Sequence, residues 1–319
     1  MNLSIASALI APLVVIVTAV SAGISQGLTN KAAFNAIDIQ PEAKNPISRL
    51  ALLCSALIET TAILGVFIGI LLLLPLMRPE QVVNVYYSDL AKIGIAIAMA
   101  CTGICVGIFS SWPAQEACYA TARQPFHAQW IFNYTLIVLS VIQTPLILAF
   151  IVSIFIKSQA NSIDSLPEAF RLIGAGCAIG LGAIGPAFGL SHFARVACNG
   201  ISKNRNSSTR VLTFTFISQA IIESPVIFSM VISLLLLFGA TATTLTKGMA
   251  MLAAGVGMGL GTLGPGISSG RTAAAACKEI ARDPELYGSL ARSSIFAQGI
   301  IDTAAIYVLL TSALIVLFV

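Results

Sequence analysis

Three carboxylates stand inside long apolar stretches of the chain: Glu59 in CSALIETTAIL, Glu223 in SQAIIESPVIF and Asp302 in AQGIIDTAAIY. A fourth stretch of the same kind, LSVIQTPLIL, carries an amide at that place, Gln143. An ionisable group at membrane depth costs several kcal/mol unless it is paired or neutralised, and an acid held there can take up and release a proton or a small cation. No lysine or arginine stands at the centre of these helices to make the acids members of structural salt bridges, so three in register point to a pathway for ions. An amide cannot release a proton in the useful range, which makes Gln143 a silent site holding an interhelical hydrogen bond.

The register belongs to an internal repeat. Gln40, Gln124, Asn204 and Asp283 stand 19 residues before Glu59, Gln143, Glu223 and Asp302 respectively. Aligned on these positions, the chain divides into four units at 1–80, 81–160, 161–240 and 241–319, each reading as two helices joined by a short polar turn. Three of the turns are alike, DIQPEAK, ARQPFHA and ARDPELY, and a proline after a polar residue favours a tight non-helical tip. The third unit has SKNRNSS, which keeps the polarity and loses the proline. The first helix of each later unit carries small residues at alternate positions, as in Gly255, Gly257, Gly259 and Gly261, or Gly176, Ala178, Gly180 and Gly182. Small residues let helix backbones approach closely in lipid, so these helices are expected to pack side by side in a tight inner ring. Unit 1 has Pro12, Val14, Ile16 and Thr18 instead, and its first helix should pack less closely.

Composition sets the solvent. Hydrophobic residues make up 57% of the chain and charged ones 9%, far from a soluble globular domain and in keeping with an integral, multi-pass membrane protein. About 20 apolar residues span a hydrocarbon core. Eight such runs are expected, at 3–28, 47–77, 91–113, 130–156, 170–192, 211–238, 247–270 and 288–319, giving an all-α membrane protein of four tandem helical hairpins. That leaves no room for a soluble domain, and the chain has no nucleotide-binding motif and no catalytic site of its own. The first run lacks a basic leader and a clear cleavage site, so it reads as a retained helix. The seven cysteines form no C-x-x-C pair and lie mostly within helices, as small packing residues rather than metal ligands. The net charge of +4 says little about nucleic acid, which is not an expected partner.

With these residues in view, the chain resembles the c subunits of the F-type ATP synthases, the proteolipids whose hairpins form a membrane rotor ring, here as four fused copies. The resemblance rests on the small-residue first helix, the turns at Gln40-Pro41-Glu42 and Arg123-Gln124-Pro125, and the carboxylate midway along the second helix. It implies that Glu59, Glu223 and Asp302 carry an ion from one half-channel of a stator subunit to another, past an arginine of that stator. It also implies that three or four copies of the chain close a ring, and that the turns at Gln40, Pro41, Arg123, Gln124, Pro125, Arg282, Asp283 and Pro284 meet the central stalk. No cofactor is implied beyond the transported ion. Twelve of the 17 basic residues cluster near the hairpin tips, and Arg78, Lys92, Lys157, Arg171 and Lys247 lie between hairpins. By the positive-inside rule the tips face the cytoplasmic or equivalent side of an energy-coupling membrane, a bacterial or organellar inner membrane.

The ion is left between proton and sodium. Sodium needs several oxygen ligands, whereas a proton needs an acid and an acceptor. The family's sodium pattern is scattered here. Its glutamine is present as Gln26 but replaced by Ser110, Leu190 and Ser269, and its tyrosine is present only as Tyr307. A hydroxyl follows the key position in every copy, as Thr60, Thr144, Ser224 and Thr303. Gln26 with Glu59 and Thr60 is the most sodium-like group, while Leu190 is hard to fit into a uniform sodium ring, and protons are expected. Two other readings use the same residues: a vacuolar or archaeal-type proteolipid, and a repeat-built transporter whose acids converge on one central site.

Overall fold

A computed structural model describes residues 5–77, 82–239 and 241–318. Arg78, one of the basic residues between hairpins, lies outside them. Among the described residues, eight helices are long and apolar enough to cross a membrane: Ser7–Ile39, Pro41–Leu74, Val85–Arg123, Pro125–Ala160, Leu166–Lys203, Arg205–Gly239, Leu245–Arg282 and Pro284–Phe318. They form four hairpins in chain order. We call the first helix of each hairpin inner and the second outer.

The helices run well beyond the apolar stretches from which they are read. An apolar run marks only what lipid or packing covers, whereas a helix continues until a residue leaves helical dihedrals. That residue is the polar one at each tip. Gln40, Gln124, Asn204 and Asp283 have φ between −127° and −140° and ψ between 73° and 100°. Pro41, Pro125 and Pro284 push the preceding residue out of the α region and open a short 3₁₀ turn. Copy 3 reaches the same turn without proline because the Asn204 side chain accepts a hydrogen bond from the Asn206 amide at 3.1 Å. Asp283 does the same for Glu285 at 3.0 Å.

Inner helices pack in sequence, 1 on 2, 2 on 3 and 3 on 4, and each of the first three outer helices lies against its own inner helix and the next one. Small residues determine how close the inner helices come. At Gly94–Gly176 and Gly174–Gly255 backbone touches backbone, and a Cβ on Gly176 would collide with Gly94. Between copies 1 and 2 the glycines meet side chains instead, Gly103 against Thr18 and Gly107 against Ser21. Copy 1 therefore packs less closely, as its larger residues require, and it is held by hydrogen bonds such as Ser21 Oγ to the Gly103 carbonyl at 3.0 Å.

The result is an open arc with inner helices on the concave side. Copy 3 shows this best because it is flanked on both sides. From Leu181 to the end of its inner helix, the residues that escape full burial follow a stripe at three- and four-residue spacing, Leu181, Ile184, Phe188, His192, Arg195, Asn199 and Lys203, with Val196 beside it. This is the face that neighbours and outer helices cover least.

Candidate ion-binding sites

Gln143, Glu223 and Asp302 each sit where an outer helix meets the outer helix of the preceding hairpin. Asp302, 8% exposed, accepts hydrogen bonds from two hydroxyls: Ser269 Oγ of its own inner helix at 3.2 Å and Ser224 Oγ of the preceding hairpin at 2.6 Å. Gln143, 6% exposed, has the same surroundings with the amide in place of the acid. Its Nε2 donates to Ser110 Oγ at 3.3 Å, and its Oε1 accepts from Thr60 Oγ1 of copy 1 at 3.4 Å. Glu223 is half-buried and hydrogen-bonded to Thr144 of copy 2. Its inner-helix position is filled by the buried Leu190, so it has one protein hydroxyl where Asp302 has two.

One rule covers all three junctions. The hydroxyl that follows a key residue serves the next copy's site. Successive helix residues point about 100° apart, so a side chain and its successor cannot both aim at one ion. This redistributes the group read from the sequence: Thr60 lies with Gln143 and not with Glu59. The signal was present in the constant one-residue offset, but the offset alone does not say which neighbour receives the hydroxyl.

The ends of the arc carry the unmatched halves. Glu59 is exposed, and Gln26 nearby donates its amide to the Ser55 carbonyl at 3.1 Å. At the opposite edge Thr303 is exposed with its hydroxyl on the Ile300 carbonyl at 2.7 Å, and Tyr307 is 66% exposed. The tip residues differ in their freedom. Pro41, Arg282 and Asp283 are exposed and Gln40 and Pro284 partly so, whereas Gln124 donates to the Ser202 carbonyl at 2.9 Å and ties copy 2 to copy 3. Arg123 is exposed on one side and bonded on the other, to Glu116 and Ser202, both at 3.0 Å. Among the described residues no group of three or more His, Cys, Asp and Glu side chains could hold a metal ion, and all seven cysteines are free.

Comparison with known proteins gives one consistent match. The profile of the ATP synthase C subunit family fits residues 9–72, 173–236 and 252–315, which lie in copies 1, 3 and 4. The copy between the first two matches is the one with Gln143. Among similar proteins is the ATP synthase c subunit of Prochlorococcus marinus (strain AS9601), 37% identical over 76 residues, which are 24% of this chain and 94% of the relative. The ATP synthase c subunit of Sulfurovum sp. (strain NBC37-1) is 35% identical over 79 residues, 25% of this chain and 78% of the relative. That of Sulfurimonas denitrificans is 34% identical over 95 residues, 29% and 91%. A relative thus corresponds to about one hairpin of this chain. With eight membrane-length helices in four hairpins, an acid or amide at each junction and three separate profile matches, the chain belongs to the ATP synthase C subunit family as a tandem fusion.

Proposed function

We propose that the chain is a fused rotor-ring subunit that carries protons on Glu59, Glu223 and Asp302, with Gln143 a silent place in the ring. The observation that carries this reading is the Asp302 junction, where a buried acid is held by hydroxyls from two hairpins. A protonated acid can turn toward lipid and a charged one cannot, so loading at a stator would gate rotation. The four hairpins, taken as units 1–80, 81–160, 161–240 and 241–319, then act as four c-type subunits joined end to end.

Ring closure follows from the junction rule. A second copy placed on the open edge by the same step brings Thr303 and Tyr307 of one chain to Glu59 and Gln26 of the next, and completes the fourth junction. The further partners of such a ring are a stator subunit with its arginine and a central stalk at the hairpin tips, in a bacterial or organellar inner membrane. A transporter with acids around one cavity fits poorly, since these acids stand at successive junctions along an arc.

The test is carbodiimide labelling of the purified assembly, read by mass spectrometry of peptides. Labelling of Glu59, Glu223 and Asp302 that slows as pH rises and is indifferent to sodium is the expected result. Protection of all three acids by sodium would replace the proton by sodium. Absence of labelling would make them structural.

A further inference from the structure

Of the two acids inside the arc, Glu223 has the poorer set of donors. Asp302 accepts from Ser269 and Ser224. Glu223 has the Thr144 hydroxyl, but the buried Leu190 stands where copies 2 and 4 place Ser110 and Ser269. A carboxylate short of a donor is held less well than one whose oxygens are both bonded.

One helical turn toward the tip, on the same outer helix, an amide has the opposite deficit. Gln219 is 2% exposed, and among the described residues neither its Nε2 nor its Oε1 has a hydrogen-bond partner. A buried polar group left unpaired is costly, and this amide has both donors and an acceptor to satisfy. The aligned residue of copy 4, Gln298, shows why. Its Nε2 donates to Ser218 Oγ of the preceding outer helix at 3.3 Å and to Ser294 Oγ of its own at 3.0 Å, which leaves only Oε1 over. In copy 3 the residues aligned with Ser218 and Ser294 are Val138 and Thr215. Val138 has no hydroxyl, and that of Thr215 is engaged with Tyr134 Oη at 2.9 Å and the Val211 carbonyl at 2.7 Å.

The two deficits lie side by side. Gln219 and Glu223 are four residues apart on one continuous helix, Ser208–Leu234, so they share a side of it with about 6 Å of rise between them. A single water with two hydrogen bonds of about 2.8 Å covers such a span, and it needs the two polar partners that stand here. On the reading that Glu223 carries a proton, we propose that Gln219 holds an ordered water against the Glu223 carboxyl, in place of the inner-helix hydroxyl that Leu190 removes. The amide suits both states of the acid. With Glu223 charged, the water donates to the carboxylate and accepts from Gln219 Nε2. With Glu223 protonated, the acid donates to the water and the water donates to Gln219 Oε1. Copy 2, whose Gln143 carries no proton, has the buried, apolar Leu139 at the position aligned with Gln219.

A cryo-electron microscopy map of the purified assembly, at a resolution that shows ordered water, tests this without any variant. Density for a water between Gln219 and Glu223 is expected. A Gln219 amide bonded directly to Glu223 or to another protein group, with no water between, overturns the proposal. Carbodiimide labelling supplies the second measurement, with Asp302 as the internal control. At a pH where Glu223 is mostly ionised, Gln219→Leu should raise its labelling about fivefold and leave Asp302 unchanged, because the protonated acid depends less on the lost donor. Adding Leu190→Ser, which restores the hydroxyl of the other copies, should return labelling to the parent level. Glu223 labelling that Gln219→Leu leaves unchanged, or that Leu190→Ser fails to restore, overturns the water and leaves the acid a carrier. No labelling of Glu223 in the parent while Asp302 reacts would remove the carrier role itself and, with it, the need for the water.

Discussion

At the scale of single residues, what matters is which side chain completes which site. Ser224 follows Glu223 in the chain but bonds Asp302 at 2.6 Å. A hydrogen bond to a charged group contributes about 1.5–3 kcal/mol. Carbodiimide attacks the protonated acid, which depends less on that donor than the carboxylate does. Ser224→Ala is therefore expected to raise labelling at Asp302 by about tenfold and to leave Glu223 unchanged, and the reverse pattern would assign the hydroxyl to its own hairpin. Gln143 is held as Asp302 is, by Ser110 and Thr60. Gln143→Glu should thus find a ready site once the Ser110 hydroxyl, now on the Val106 carbonyl at 2.6 Å, turns to donate to the acid. Acids per chain rise from three to four, and the ion-to-ATP ratio of the coupled enzyme should rise by about one third. An unchanged ratio would mean that the new acid is not loaded. The acids and their spacing were legible in the sequence because a charge in an apolar run is conspicuous. The partner of each hydroxyl was not, because it depends on how helices turn and pack.

At the scale of helices, glycine position decides how closely the inner layer can pack. Gly176 lies against the Gly94 backbone, which cannot move aside as a flexible side chain can. Gly176→Val is expected to cost about 1–3 kcal/mol at that contact and to lower the yield of assembled ring, measured by native gel or size-exclusion chromatography. Gly299→Ala, where an added Cβ meets nothing within 4 Å, serves as the control and should assemble normally. The hairpins and the loose packing of copy 1 could be read from the sequence, since Pro12, Val14 and Ile16 are too large for a backbone contact. The full helix lengths could not, because hydropathy reports the apolar segment and not the backbone's last helical residue. The tip of copy 3 shows the same limit, where Asn204 caps a turn that proline sets elsewhere.

At the scale of the whole molecule, the proposed ring requires that the two edges of one chain complement each other. The internal contacts fix the step: Gly189 meets Gly266 and Gly270 across the copy 3–4 junction, and Ser25 bonds the Gly107 carbonyl across the copy 1–2 junction. Carried to the open edge, the step sets Ser268 of one chain against Gly23 and Gly27 of the next, and these two glycines have nothing within 4 Å of an added Cβ. Ser268→Cys with Gly23→Cys, in a background without the native cysteines, should form disulfide-linked multimers of the chain under mild oxidation. What decides whether the chain is a segment of a rotor is a cryo-electron microscopy map of the detergent-purified assembly. A closed ring of whole chains is expected, with Glu59 of each beside Thr303 of the next and with Glu223 and Asp302 at hairpin junctions near mid-membrane. A discrete single chain, or acids gathered around one central cavity, would contradict it.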